Sequence, residues 1–418
     1  MAIAKPATAA LVGGERAVAR CRQLAVPPFS DDAGGLYRAY LTPAHAATCR
    51  QLEQWMRDAG MTTRVDPAGN LIGLYEGGDG PLLLIGSHID SVRDAGAFDG
   101  PLGIMLAIEC VEALRAKDRR LPFAIEVIAF GDEEGSRFPA SMLTSRAAAG
   151  TLHASELAIS DAAGVRLDEA LAGFGLAADS YLSAAYPPGS VRAYFEVHIE
   201  QGPVLESEGL ALGVVDAIAG QRRLAVSMTG TPGHAGTSAM HLRRDALAAA
   251  AEAVLAVERI ARDGPPDVVA TVGSIAVAPG SANVVPGRAD FTVDVRAGSD
   301  DVRDVAKARI VAALNAVAAD RGIGISVEET QVLAASPCDP ALADRLAEAV
   351  GGLGLPPRRL VSGAGHDAMV MAALAPMAML FVRCTGGISH NPAEDVMVGD
   401  AELALQAMVR FVEGLERG

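Results

Sequence analysis

The chain has 418 residues, more than one ordinary hydrophobic core supports, so its length predicts two domains. Half of the residues are apolar, 21% are charged and 4% are aromatic, a globular composition that excludes a largely disordered chain. The formal charge of −16 excludes a generally basic nucleic-acid surface, and the longest near-apolar run, 368–382 with Pro376 inside it, is too short to span a bilayer.

The first twenty residues show no apolar stretch ahead of a cleavage site, so no signal peptide is expected. Cys21, Cys49, Cys110, Cys338 and Cys384 are odd in number and scattered. They read as reduced thiols of a cytoplasmic protein, with neither a disulfide framework nor a metal-binding CxxC pair.

Residues 42–59 predict a helix, followed by a hairpin-like pair around Asp66-Pro67-Ala68-Gly69-Asn70. A short buried strand over 82–86 leads to a helix over 102–114 that is apolar nearly all round, and 123–130 is the next strand. This alternation predicts an α/β sheet with helices on both faces. From about 223 to 328 the pattern changes. Residues 224–229 alternate as a strand, 243–261 form a helix, and 268–277 and 289–296 are strands. Ser299 is expected to cap a helix that stops at Gly322, and 323–328 is the last strand. The order β-α-β-β-α-β is the ferredoxin-like pattern. Residues 342–350, 377–382 and 401–416 then return to α/β alternation. The expectation is a discontinuous main domain, 1–220 and 331–418, with a small domain, 221–330, inserted. In 289–296 the period of two puts Phe291, Val293 and Val295 on one face, so Arg296 points off the small domain's core.

Five of the eight histidines, His88, His198, His234, His366 and His390, stand in polar, glycine-flanked sequences at element ends; His45, His153 and His241 do not. One such histidine is more often structural, but five in comparable settings point to a site. His88 and Asp90, in Gly86-Ser87-His88-Ile89-Asp90-Ser91, leave the C-terminal end of a strand, the edge where open α/β sheets bind ligands. Asp99 precedes the next helix and reads either as a ligand or as that helix's N-cap. Asp132-Glu133-Glu134 ends another strand. Adjacent carboxylates there repel unless a cation or a shared proton neutralises them, and the alternative is a solvated acidic turn. His198, in Phe195-Glu196-Val197-His198-Ile199-Glu200-Gln201, and His390, in Gly387-Ile388-Ser389-His390-Asn391-Pro392, follow two further strands. Imidazoles and carboxylates without a thiolate suit Zn²⁺, Mn²⁺ or Co²⁺ in a hydrolytic site better than a structural zinc.

Together the motifs GSHIDSV, AFDG, DEEGSRF, FEVHIEQGPVLE, GTPGHAG, ANVVPG, SGAGHDA and GISHNPAE resemble the M20-type amidohydrolases, from about Asp66 onward. Within these the chain is similar to the hydantoinase/carbamoylase group, which includes allantoate and N-carbamoyl-amino-acid amidohydrolases. The resemblance implies a di-metal catalytic domain with an inserted lid that also forms a homodimer. It implies His88, Asp99 and His198 around one divalent ion and Asp99, Glu134 and His390 around the other, with Asp99 shared. Glu133 then resembles the general base, Asp90 the group that fixes the tautomer of His88, and His234 the residue that stabilises the developing oxyanion. Asn283 and Arg296 are implied to hold a substrate carboxylate, and Gln201, His366 and the Gly363–Gly365 backbone, Gly365 included, to bind substrate further. Arg296 alternatively reads as a surface ion-pair residue.

The implied reaction is hydrolysis of the linear amide or ureido C–N bond of a small ureido acid. Allantoate comes first on the GVVDAIAGQRR and SGAGHDA segments, with an N-carbamoyl-L-amino acid or N-carbamoyl-β-alanine as the alternative. A dipeptidase or aminopeptidase is opposed by His198 in its HIEQGP setting, and a non-catalytic binding protein by the presence of every expected ligand and Glu133. The sequence departs from the group at Thr237-Ser238-Ala239-Met240, where a proline often precedes the methionine. No nucleic-acid or membrane partner is expected.

Overall fold

The computed structural model describes residues 13–417. Most of the N-terminal stretch read for a signal peptide lies outside them. The chain divides into two units: one holds the chain up to Asp216, then Cys338–Arg359 and the chain from His366 onward, and the other holds Ala217–Pro337 and Leu360–Gly365. Among the described residues no helix is long and apolar enough to cross a membrane. All five cysteines are buried and unpaired.

The first unit opens with helices Gly13–Leu24 and Pro43–Asp58, the second started by Thr42 Oγ1 accepting the His45 N–H and by Pro43 in its first turn. Strand β1 (Thr62–Val65) pairs antiparallel with β2 (Leu71–His88) across the predicted turn at Asp66–Asn70, where Asp66 accepts the N–H groups of Ala68 and Asn70. β2 is far longer than the expected 82–86. Its residues 71–75 lie against β3 (Phe123–Phe130) in one direction, Leu71 opposite Ala129 and Tyr75 opposite Ile125. Residues 83–88 lie against the same strand in the other direction, from Leu83 opposite Ile125 to His88 opposite Phe130. The reversal passes through Gly77 and Gly78, and a Cβ on Gly77 would stand 2.0 Å from the Phe123 carbonyl oxygen. Periodicity alone shows no such reversal. The helix Pro101–Ala116 is buried along almost its whole length, as its apolar composition predicts.

Strands β4 (Val191–Ile199) and β5 (Leu212–Ile218) follow. The second unit begins its sheet with β6 (Gly220–Thr229), and β7 (Gly233–His234) lies just after it. The helix Ala246–Arg262 starts three residues later than predicted because Asp245 caps it, accepting the N–H groups of Leu247 and Ala248. The expected single strand 268–277 is two, β8 (Val269–Thr271) and β9 (Ile275–Ala278), interrupted around Gly273. β10 (Val284–Val285) pairs with β7. β11 (Arg288–Ala297) is central: β6 takes one edge, and β8 and β9 share the other. Ser299 stands at the N-cap of helix Asp300–Asp320, but its hydroxyl makes no capping bond. β12 (Gly324–Leu333) completes the sheet beside β6. The observed order is the predicted β-α-β-β-α-β, with the third element split. Leu224, Val226, Phe291, Val293 and Val295 pack with the alanine face of the first helix and Ile310 and Leu314 of the second.

The remaining strands are β13 (Ser336–Pro337), β14 (Arg359–Ser362) and β15 (Met377–Val382). The larger sheet runs β1-β2-β4-β15-β5-β13, with β3 also on β2 and β14 also on β5. β15 and residues 82–85 of β2 are both parallel to β4. Three neighbouring strands therefore end on the same side, and the loops that leave them meet there.

Candidate metal centre

His88 is the last residue of β2, and His198 stands one residue before the end of β4, opposite Phe381 of β15. The parallel register brings both imidazoles to one edge, where their Nε2 atoms are 3.4 Å apart. Asp99 faces them, with Oδ1 3.2 Å from His198 Nε2 and 3.8 Å from His88 Nε2. Its other oxygen, Oδ2, is 3.2 Å from His390 Nε2, which is 3.5 Å from Glu134 Oε1. Two potential ligand triads result, His88–Asp99–His198 and Asp99–Glu134–His390, sharing Asp99. Asp99 is not the helix cap. That position belongs to Gly100, at φ +85°, with the His88 ring packed against it.

The donor chemistry fits a pair of cations. His88 Nδ1 donates to the Asp90 carbonyl at 3.1 Å and His198 Nδ1 to the Ile199 carbonyl at 3.0 Å. Each ring is thereby set in the tautomer that turns an Nε2 lone pair toward Asp99. The surroundings are strongly acidic. Burial pushes the Asp132, Glu133 and Asp367 carboxyls well above the usual carboxylate range, and their carboxylate neighbours add to it. Burial opposes ionisation of Asp99 too, but the His198 and His390 imidazoles against its two oxygens hold it well below that range. Burial would lower His88, yet Asp90, Glu133 and Asp99 raise it; the field that favours a proton on this ring also favours a metal ion. Among the described residues Asp132 Oδ1 and both Asp367 oxygens have no hydrogen-bond partner. So dense a set of buried acids needs either shared protons or positive charge nearby.

Glu133 and Glu134 do not form a solvated turn. Asp90 Oδ1 accepts the Glu133 N–H at 2.9 Å and Asp90 Oδ2 the Glu134 N–H at 3.1 Å. This changes the expectation for Asp90. The His88 tautomer is set by the Asp90 peptide carbonyl, while the carboxylate, 3.5 Å from the ring, holds the backbone of the glutamate pair. Gln201, at φ +56°, turns its Nε2 onto Asp99 Oδ2 at 3.0 Å, and its Oε1 is buried with no partner among the described residues. The His366 ring lies 4.4 Å from that of His198 and is kept neutral, burial lowering its pKa well below the usual histidine range.

The other expected residues belong to the second unit. His234 pairs with Val284, and the Ala235 N–H bonds the Asn283 carbonyl at 2.8 Å, so His234 and Asn283 stand side by side. Arg296 lies on the outward face of β11, as predicted, and its guanidinium is held by Asp294 at 2.9 Å and by the Gly363 carbonyl at 2.7 Å. The ion pair read as its alternative is present. Gly365 lies in the Leu360–Gly365 segment of the same unit.

Three supporting residues were not read from the sequence. Glu196 accepts from Ser87 Oγ at 3.0 Å, Tyr194 Oη at 3.0 Å and the Ala368 N–H at 2.9 Å, joining the neighbours of His88 and His366. It lies near His198 and His366, but its oxygens are already taken, which argues against a third ion there. Its only signal was its place two residues before His198 on one strand face. Arg38, fully buried, donates to the carbonyls of Ile89, Leu24 and Phe29, fixing the residue between His88 and Asp90. Nothing in the local sequence marks it. Glu394, inside GISHNPAE, is the third.

An α/β unit that gathers histidine and carboxylate ligands around one shared aspartate at its strand ends defines the class of metal-dependent hydrolases. The chain belongs to peptidase family M20/M25/M40, whose model matches residues 84–414, as its motifs led us to expect. It is 40% identical over 433 residues to allantoate deiminase 2 of Glycine max, an alignment covering 96% of this chain and 89% of that protein. It is 38% identical to the N-carbamoyl-L-amino acid amidohydrolase of Geobacillus stearothermophilus, over 98% of this chain and 100% of that one. Among solved structures, an amidase of the hydantoinase/carbamoylase family from Burkholderia multivorans superposes with a TM-score of 0.87 at 35% identity, covering 96% of this chain and 97% of that chain.

Proposed function

We propose that the protein hydrolyses the linear C–N bond of a ureido acid, with allantoate as the first substrate and an N-carbamoyl-L-amino acid as the second. The observation that carries this reading is the pair of ligand triads sharing Asp99 beside Glu133. The Glycine max and Geobacillus stearothermophilus relatives support the two substrate classes in that order.

His88, Asp99 and His198 would hold one divalent ion, and Asp99, Glu134 and His390 the other; Zn²⁺, Mn²⁺ and Co²⁺ all suit this donor set. When bound, such a pair lowers the pKa of water and polarises a carbonyl. Glu133 then accepts a proton from the water and delivers it to the leaving nitrogen. Asp90 holds Glu133 in place through its peptide N–H. His366 and Gln201 line the substrate's position, His234 stabilises the developing oxyanion, and Asn283, Arg296 and Gly365 bind the rest of the substrate. Arg296 suits a carboxylate because its planar fork grips both oxygens. The residues up to 216, from 338 to 359 and from 366 onward form the catalytic domain in this reading. The inserted unit serves as lid and homodimer contact in this reading. The five unpaired thiols support a cytoplasmic location.

The test is a substrate panel with defined metal loading. Ammonia release is expected from allantoate or carbamoyl cleavage from N-carbamoyl-L-amino acids, both faster than hydrolysis of dipeptides. Chelation is expected to abolish turnover and added Mn²⁺, Co²⁺ or Zn²⁺ to restore it. Turnover that survives in metal-free protein would refute the two-ion chemistry, and inactivity on every ureido acid would refute the substrate class. The Arg296→Ala enzyme is expected to lose on the order of 2–5 kcal/mol of substrate binding, read as a raised KM with kcat little changed. An unchanged KM would leave Arg296 with its ion-pair role alone.

A further inference from the structure

Residues 96–100 and 389–395 are distant in the chain, yet each loop carries a ligand of one triad, Asp99 in the first and His390 in the second. One buried side chain ties the loops together. Glu394, 5% exposed, accepts through Oε1 the N–H of Phe98 at 2.8 Å and of Asp99 at 3.1 Å. Its Oε2 is 3.2 Å from Ser389 Oγ, which is also 2.9 Å from Asp99 Oδ2. The Glu394 N–H bonds the Asn391 carbonyl at 3.0 Å, and Asn391 Oδ1 accepts the Ala393 N–H at 2.9 Å, so its own loop is fixed. The carboxylate fills the place of any side chain at position 96: a Cβ on Gly96 would stand 2.2 Å from Glu394 Cδ. Both of its oxygens are engaged, and it belongs to none of the candidate ligand groups among the described residues.

We propose that Glu394 is a positioning residue of the metal centre: by accepting two peptide N–H groups it sets Asp99 against His390, and thereby the affinity of the ion that Asp99, Glu134 and His390 share. The inference rests on the two-ion reading above. Removing the carboxylate orphans two N–H groups, and a loop that shifts to rehydrate them carries Asp99 with it. Metal–oxygen bonds of about 2.0–2.2 Å tolerate little such movement.

The test measures ions bound per chain by elemental analysis and each affinity by competition with a chromophoric chelator, using Zn²⁺ and Co²⁺ on the full chain. Two ions are expected on the wild type. Because Asp99 is shared, both ions are expected to weaken in Glu394→Ala, but the one that also takes His390 from the Glu394 loop by at least tenfold more than the other, a selectivity that general loosening of the fold does not produce. Glu394→Gln keeps an acceptor oxygen for both N–H groups and is expected to restore the second ion. Ser389→Ala leaves the N–H groups satisfied and is expected to weaken that ion severalfold; if Glu394→Ala does not fold, this variant carries the test. Wild-type affinities in Glu394→Ala or Ser389→Ala, or equal loss of both ions, would overturn the inference. A wild type that binds fewer than two ions would instead overturn the two-ion reading.

Discussion

Replacing Glu133 by alanine is expected to lower kcat by about two to four orders of magnitude while the protein keeps its metal ions. The anchor that places residue 133 is its own N–H on Asp90 Oδ1, which alanine retains. The two triads that share Asp99 do not include Glu133, so their donors stay intact. Glu133 does, however, form a third possible group with His88 and Glu134. Measuring kcat and metal content side by side on one preparation separates the two roles. A fall in metal content that parallels the fall in kcat would make Glu133 a ligand rather than a base. Full activity would remove it from the reaction.

Gly100→Ala is expected to be among the most damaging single-methyl changes in the molecule. The residue sits at φ +85°, and the added Cβ would stand 2.5 Å from the His88 carbonyl oxygen and 2.6 Å from His88 Cε1 and Nδ1. Backbone strain there costs about 1–3 kcal/mol, and overpacking costs about as much again. Relief comes only by moving His88 off the Asp90 carbonyl or by moving the loop that carries Asp99. Either movement disturbs the shared ligand set. Denaturant unfolding of the metal-free protein and ion affinity of the folded protein are both expected to fall. Gly173→Ala is the control, since a Cβ there meets nothing within 4 Å; it is expected to leave ion binding unchanged. Wild-type values for Gly100→Ala would show that the close approach of the ring is not needed.

The ligands were legible in the sequence for a chemical reason. Few residue types can bind a divalent ion, so His88, Asp99, the Glu133–Glu134 pair, His198 and His390 stand out as candidates at strand ends, while their division into two triads came from the resemblance to the M20-type amidohydrolases. Strands Phe123–Phe130 and Met377–Val382 were equally legible, being fully buried runs, apolar but for Glu126, with sharp boundaries. The supporting residues were harder to see. Asp90 and Glu394 act by accepting peptide N–H groups from loops 43 and 296 residues away, which no local pattern records. The Arg38 guanidinium bonds carbonyl oxygens, so its partners carry no identity that a sequence could show. The reversal inside β2 and the break between β8 and β9 turn on glycines that read equally well as loop or strand.

β15 lies between β4 and β5, bonded to one on each side, although it is made long after both. A ribosome has therefore released almost the whole protein before the middle of this sheet can close. Until then the two flanking strands each offer a row of unsatisfied peptide groups to any neighbouring chain. A translation product that stalls before Met377 has neither the closing strand nor His390.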